Sequence, residues 1–157
     1  MASLAELARY HTRLDPAQID HLQRLVASWG LLADLCFADL ILFAAADRDH
    51  GDGGEPAPLI VLGQVRPTTS QTLYRADWVG RVLPVGERSL VGRCLQLGEI
   101  IDGEITTERG EPVRELCIPV RHQGCPIGVV TRDSAPTVGR QPGELERTYV
   151  EVFHRFA

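Results

Sequence analysis

Residues Glu115 to Asp133, ELCIPVRHQGCPIGVVTRD, restrict the fold more than any other stretch of the chain. Leu116, Ile118 and Val120 alternate with Cys117, Pro119 and Arg121. Beyond a polar turn, Ile127, Val129 and Thr131 alternate with Gly128, Val130 and Arg132. A period of two on both sides of a Gly-containing turn is the pattern of a β-hairpin. With Gln123-Gly124 as the turn, Val120 faces Ile127, Ile118 faces Val129 and Glu115 faces Arg132. One face is then aliphatic and core-forming. The other is mixed, carrying Arg121 and a Glu115–Arg132 cross-strand ion pair. Pro119 has no N–H to give to a ladder, so irregular pairing is expected there.

The rest of the chain supplies helices at both ends and strands between. Ser3 to Thr12 reads as a short helix. Asp15-Pro16-Ala17-Gln18 is a helix start, with Asp at the N-cap, Pro at the first helical position and Gln at the third. Ile19, Leu22, Leu25, Val26 and Trp29 follow at helical spacing, and the apolar pattern continues through Gly30 to Cys36. Ala38 to Ala46 reads as a buried strand and Leu59 to Val65 as a second, joined by an acidic Gly/Pro-rich loop at 47–58. Pro67 to Gln71 reads as polar loop, Thr72 to Arg75 as a short strand and Glu87 to Leu97 as a helix closed by Gly98. Ile100 to Asp102 is a short strand, 103–112 a loop, 135–142 a linker, and Gly143 to Ala157 a helix with Leu145, Tyr149, Val152, Phe153 and Phe156 on one side. The class is α+β, with antiparallel strands and helices at both ends. The chain ends inside an apolar helical pattern, which is expected of a fragment of a longer protein.

Composition narrows the function. The chain has 157 residues, enough for one domain with a substantial core, and a formal net charge of −5. That charge does not favour nucleic acid. No apolar run reaches membrane-spanning length, and the N-terminus lacks the pattern of a signal peptide, so a cytoplasmic location is expected. All 16 basic residues are Arg, and Asn is absent. A P-loop and Schiff-base chemistry need Lys, and kinase ATP sites use an Asn for metal, so the chain itself is not expected to be an enzyme or to transfer phosphate. Cys36, Cys94, Cys117 and Cys125 form no C-x-x-C pair and read as reduced, mostly buried residues.

Several segments resemble one family. SLVGRCLQLGEIID (Ser89 to Asp102) is similar to the Gly-containing helix, Gly-Glu turn and short strand of a GAF domain, the sensory module of many signalling proteins. LCIPVRHQGCPIGVVTRD is similar to its last two sheet strands. HLQRLVASWGLLADLCFADLILFA (His21 to Ala44) resembles the opening of the sensor region of actinobacterial cytosolic sensor histidine kinases, which carry GAF, then PAS, then a kinase core; QVRPTTSQT at Gln64 to Thr72 fits the same group. The resemblance implies a GAF-like, PAS-related central antiparallel sheet with N- and C-terminal helices packed on one face. It also implies an input domain for an ATP-dependent protein-histidine kinase, a homodimer through the terminal helices (15–36 and 143–157), and PAS and kinase domains downstream. The loop at 48–58 is longer and more acidic than that group leads one to expect.

In this family ligands sit between the sheet and the variable middle segment, here Thr68 to Pro112. Trp78, Arg81, Arg88 and Arg93 within it, with Arg121 on the hairpin, are the candidate ligand-binding residues. Trp suits stacking on a ring and Arg suits bidentate phosphate or carboxylate recognition. No cofactor is fixed by these residues; a cyclic nucleotide such as cyclic di-GMP is the candidate ligand the resemblance implies. Two other outcomes stay open. One is a ligand-free dimerisation module. The other is a GAF-fold free methionine-R-sulfoxide reductase, which would need a thiolate; Val91 stands where those enzymes have Cys, and Cys94 with Arg93 lies three residues on. Cys117, His122 and Cys125 invite a metal, but Cys117 lies roughly 16 Å along the strand from the turn at about 3.3 Å per residue, so no metal site and no catalytic residue is expected.

Overall fold

The run Leu40 to Ala46 is apolar at every position rather than at alternate ones, and a strand of that kind must be covered on both faces. The computed structural model bears this out. It describes residues 1–47, 56–68, 73–136 and 143–157. Most of the acidic loop expected at 47–58, with His50, the end of the polar segment at 67–71 and most of the linker at 135–142 lie outside the described residues.

Helices α1 (Leu4–His11) and α2 (Pro16–Cys36) lead into strands β1 (Asp39–Ala45) and β2 (Leu59–Val65). A two-residue strand β3 (Val82–Leu83), a 3-10 turn (Val85–Arg88) and α3 (Ser89–Leu97) follow, then β4 (Ile101–Thr106), β5 (Pro112–His122), β6 (Cys125–Ser134) and α4 (Glu144–Phe156). The strands form one sheet in the order β3-β2-β1-β6-β5-β4, and every pairing is antiparallel. On one face α1, α2 and α4 pack over Leu40, Leu42, Ala44, Ile60, Leu62, Ile118, Val120 and Val130. On the other, α3 and the middle segment pack over Ile41, Phe43, Leu59, Val61, Cys117 and Val129. Neighbouring residues on one strand thus serve opposite layers.

The helix starts form as their sequences dictate. Ser3 caps α1 with Glu6 in a capping box, and Asp15 caps α2 with Gln18 in another. The Asp15 side chain accepts the Gln18 N–H at 2.8 Å, and the Gln18 side chain accepts the Asp15 N–H at 2.9 Å. Asp15→Ala is expected to cost about 1 kcal/mol, read as a lower urea midpoint at unchanged m. Trp29 lies against Gly63 of β2. A Cβ there would stand 3.0 Å from the indole, so the absence of a side chain lets α2 sit down on the sheet.

Four local expectations are corrected. The turn is at Gln123-Gly124, both with positive φ (52° and 78°), and His122 pairs with Cys125. A bulge between Val120 and Arg121 then moves the register by one residue. Val120 pairs with Gly128, Ile118 with Val130 and Glu115 with Asp133, so no Glu115–Arg132 ion pair forms. The irregularity is at the bulge, not at Pro119, which pairs with Val129 in regular register. Arg121, two residues on, donates its N–H away from β6 to the Ala157 carbonyl at 2.8 Å. The Pro119 nitrogen points to the same side, past the end of the β4 ladder at Cys117, where a missing N–H costs nothing. Among the described residues 73–75 there is no strand; the edge strand is instead Val82–Leu83. β4 runs to Thr106, into the segment expected to be loop.

Candidate functional site

The polar centre of the molecule lies beneath the middle segment, on the α3 face of the sheet. Glu115 on β5 and Asp133 on β6 are cross-strand partners, and both are wholly buried. Arg88, the last residue of the 3-10 turn before α3, is 4% exposed and lies over them. Its Nη1 donates to Glu115 Oε2 and to Asp133 Oδ2, the latter at 3.1 Å. Its Nη2 donates to the Tyr74 hydroxyl at 2.9 Å, and that hydroxyl donates to Asp133 Oδ2 at 2.5 Å. One guanidinium therefore ties the start of α3, the 73–78 segment and two central strands together, using the planar fork that Lys lacks. Aromatic rings surround it: the Arg88 guanidinium carbon is 5.1 Å from the Trp78 ring centroid, 5.5 Å from Tyr74 and 5.6 Å from Phe43.

The electrostatics follow from burial. Desolvation, and then the neighbouring Asp133 charge, push the Glu115 carboxyl up to about 7, against the opposing pull of Arg88. The Arg88 guanidinium is held above its ordinary value by Asp133, Tyr74 and Glu115, which outweigh its desolvation. Burial pushes the Tyr74 hydroxyl up, and Asp133 adds to the effect. Cys117 donates its S–H to Glu115 Oε1 at 3.6 Å, and burial raises its thiol. Burial pushes the Cys94 thiol up to about 12, so it stays protonated at neutral pH. A completely buried, protonated thiol is the wrong state for the nucleophile that a sulfoxide reductase needs.

The structure brings three of the five candidate residues together. Trp78 is half-buried against Tyr74, with ring centroids 5.1 Å apart, and the Arg81 guanidinium stacks on its ring at 4.4 Å. Arg88 is the buried anchor on the other side of this cluster, not a solvent-facing ligand contact. Arg93 lies exposed on α3. Arg121 stands at the far end of α3 and donates to the carbonyl of Gly98, the left-handed residue (φ 66°) that closes that helix. The carboxylates under Arg88 were not among the sequence candidates. The Cys117, His122 and Cys125 side chains go three ways: Cys117 into the α3 layer, His122 toward His21 of α2 with centroids 5.8 Å apart, and Cys125 to the surface. The α3 face of the sheet is filled by Tyr74, Leu83, Val91 and Cys94, with Leu73, Trp78, Val85 and Leu90 packed around them.

A family profile described as "Histidine kinase PdtaS, GAF domain" matches residues 4–153. The sensor histidine kinase PdtaS of Mycolicibacterium smegmatis is 32% identical over 155 residues, covering 96% of this chain and 30% of that protein. The Mycobacterium tuberculosis PdtaS is 31% identical over 154 residues, covering 95% of this chain and 29% of its own. The chain thus spans under a third of the length of these relatives. Among solved structures, the sensor region of a sensor histidine kinase superposes with a TM-score of 0.69 at 30% identity, over 98% of this chain and 50% of that one. The second GAF domain of DevS from Mycobacterium smegmatis shares the fold, with a TM-score of 0.55 at 14% identity over 90% of each chain. On the profile match and the identity to these kinases, the chain belongs to the PdtaS histidine kinase family and is its GAF domain.

Proposed function

We propose that this domain is the regulatory input of a cytoplasmic two-component histidine kinase, followed in its parent chain by PAS and kinase domains, and that it signals through α2 and α4. One observation carries the reading. Glu115 and Cys117 on β5 face the Arg88 cluster, while Ile118 and Val120 on the same strand face the terminal helices. A change in the cluster that shifts β5 is felt directly beneath α2 and α4, which gives two sites a shared element to bias.

The output face is suited to a homodimer. Sequence alone placed Leu145, Tyr149, Val152, Phe153 and Phe156 on one side of α4. In the structure Phe153 turns into the core and Tyr149 packs at its margin. Leu145, Val152 and Phe156 are left 64%, 43% and 75% exposed. Leu145, Tyr149, Val152 and Phe156 repeat at spacings of four, three and four, the seam of a coiled coil. In the parent kinase, Val152→Asp with Phe156→Asp is expected to shift the sedimenting mass from dimer to monomer and to cut autophosphorylation at least about fivefold. An unchanged mass with unchanged autophosphorylation contradicts the proposal.

A second reading is favoured by the packing on the α3 face. Arg88, Tyr74 and Trp78 occupy the layer in which a small molecule would lie, so a cyclic nucleotide would enter only by displacing them. On this reading the domain responds to something other than a small organic ligand.

A further inference from the structure

Two carboxylates, Glu115 and Asp133, share one donor nitrogen of one guanidinium in a completely buried site. Ionised together they carry one negative charge more than Arg88 cancels, and a buried charge without a partner is costly. Among the described residues, the groups facing the pair from the surrounding elements do not supply the missing positive charge: Arg66 donates to the Tyr74 carbonyl at 3.0 Å and Arg81 stacks on the Trp78 ring, and neither forms an ion pair with Glu115 or Asp133. Tyr74 from the middle segment and Cys117 from β5 are weak acids that burial keeps protonated. Cys94 from α3 is the same. Asp39 of β1, the cross-strand partner of Asp133 on its other side, is another buried carboxylate and accepts the Leu73 N–H at 2.8 Å. β4 presents Ile101 and Gly103 opposite Cys117 and Glu115. Within the pair, Glu115 accepts on both oxygens, whereas Asp133 Oδ1 and the neighbouring Thr131 Oγ1 have no hydrogen-bond partner among the described residues.

We propose that the Glu115–Asp133 pair is a proton-binding site, in which one shared proton cancels the excess charge and its release loosens the Arg88–Tyr74 cover over the sheet. The proton is assigned to the pair, because Glu115 Oε2 and Asp133 Oδ2 accept from the same Arg88 nitrogen and the Asp133 charge helps to raise the Glu115 carboxyl. The cover is the part that gives. Its alternative is to leave an unneutralised charge in a dry site, and admitting water past Tyr74 and Trp78 relieves that. The raised Glu115 carboxyl places the transition near neutral pH, where the proton is exchanged under ordinary conditions. The ligand of this domain is then the proton itself, which needs no cavity. This deepens the input-domain reading and rests on it for the consequence in the kinase, but the binding event is tested without any kinase.

The sign of the effect is fixed. The folded pair holds its proton up to about 7, whereas an unfolded Glu releases it near 4.5. The stabilisation is therefore complete below the lower value and is lost as pH rises through the higher one. In the 157-residue chain carrying ¹³C-carboxyl Glu and Asp, one carboxyl is expected to titrate near pH 7, and Tm is expected to fall between about pH 5 and 8. Glu115→Gln, which keeps an acceptor oxygen for Arg88 and turns an N–H toward the Cys117 sulfur, is expected to abolish the neutral titration and flatten the Tm profile. Asp133→Asn, which leaves one carboxylate for one guanidinium, is expected to do the same and serves if the first variant does not fold. Titration of every carboxyl below about pH 5.5, or a neutral titration that survives both variants, overturns the proposal. So does a titration that moves with sodium or potassium concentration at constant ionic strength, since a bound cation would then hold the excess charge. If the neutral titration is found but autophosphorylation of the parent kinase ignores it, the proton site stands and the input-domain reading fails.

Discussion

Arg88→Met is expected to destabilise the domain by about 3–5 kcal/mol, the cost of removing one partner from a buried ionic cluster, and to be read as a collapse of the urea midpoint. Met fills much of the volume, so the loss is one of charge and hydrogen bonds. Glu115 and Asp133 would be left wholly buried with no cation, and the Tyr74 hydroxyl would lose a donor. Arg88→Lys should recover little of this. One ammonium cannot reproduce a fork that meets two carboxylates with one nitrogen and a hydroxyl with the other. The double variant Arg88→Met with Glu115→Gln should be less damaged than Arg88→Met alone, because it removes a charge the single variant leaves stranded. If Arg88→Met unfolds like wild type, Arg88 does not hold the middle segment to the sheet.

Trp29→Ala is expected to cost a similar amount, about 3–5 kcal/mol, through a different mechanism. Trp29 is 4% exposed and fills the space above Gly63, where its ring would stand 3.0 Å from a Cβ added to that glycine. Truncation opens a cavity between α2 and β2, and the rigid backbone on both sides limits collapse into it. The same contact predicts that Gly63→Val is harmful, since the added methyls meet the indole head-on. Calorimetry on both variants gives the check. A Tm change of only a degree or two for Trp29→Ala would mean that α2 is held elsewhere. The two losses differ in one further respect. Arg88→Met should alter the pH profile of stability, because it changes what Glu115 and Asp133 face, whereas Trp29→Ala should leave that profile in place.

Much of the fold is legible in the sequence because local chemistry and global arrangement agree. Asp15-Pro16 with Gln18 starts α2 as read, Leu59 to Val65 is a strand at the same bounds, Gly98 closes α3, and Gln123-Gly124 makes the turn. The hairpin register is where local reasoning failed. A single extra residue near Ile127 is invisible in an alternating pattern, yet it changes the partner of Glu115 from Arg132 to Asp133; the burial of the pair comes from the cover over that face of the sheet, not from the slip. Such a slip changes the partner of every residue beyond it. A signal for the buried site was present: β1 is apolar at successive positions, so both faces of the sheet had to be covered, and Glu115, Cys117, Thr131 and Asp133 had to lie under one of the covers. Residue type and segment point to Arg88 and Arg93 alike, and type cannot tell Arg88, at the start of α3 and buried, from Arg93, five residues on and exposed. Val91 and Cys94, three residues apart, mark the side of α3 that meets the sheet and leave Arg93 off it, whereas Arg88 precedes the helix, where that spacing gives no guide.

In the proposed mechanism the buried cluster on one face of the sheet governs a kinase through the helices on the other. Autophosphorylation of the parent kinase carrying Glu115→Gln, measured from about pH 6 to 8 beside the wild type, tests it most directly. Wild-type activity is expected to change at least about fivefold across that range, and the variant is expected to stay near one level throughout, with the ATP KM unaltered. Identical rates for the two proteins at every pH, with both domains folded, would contradict it.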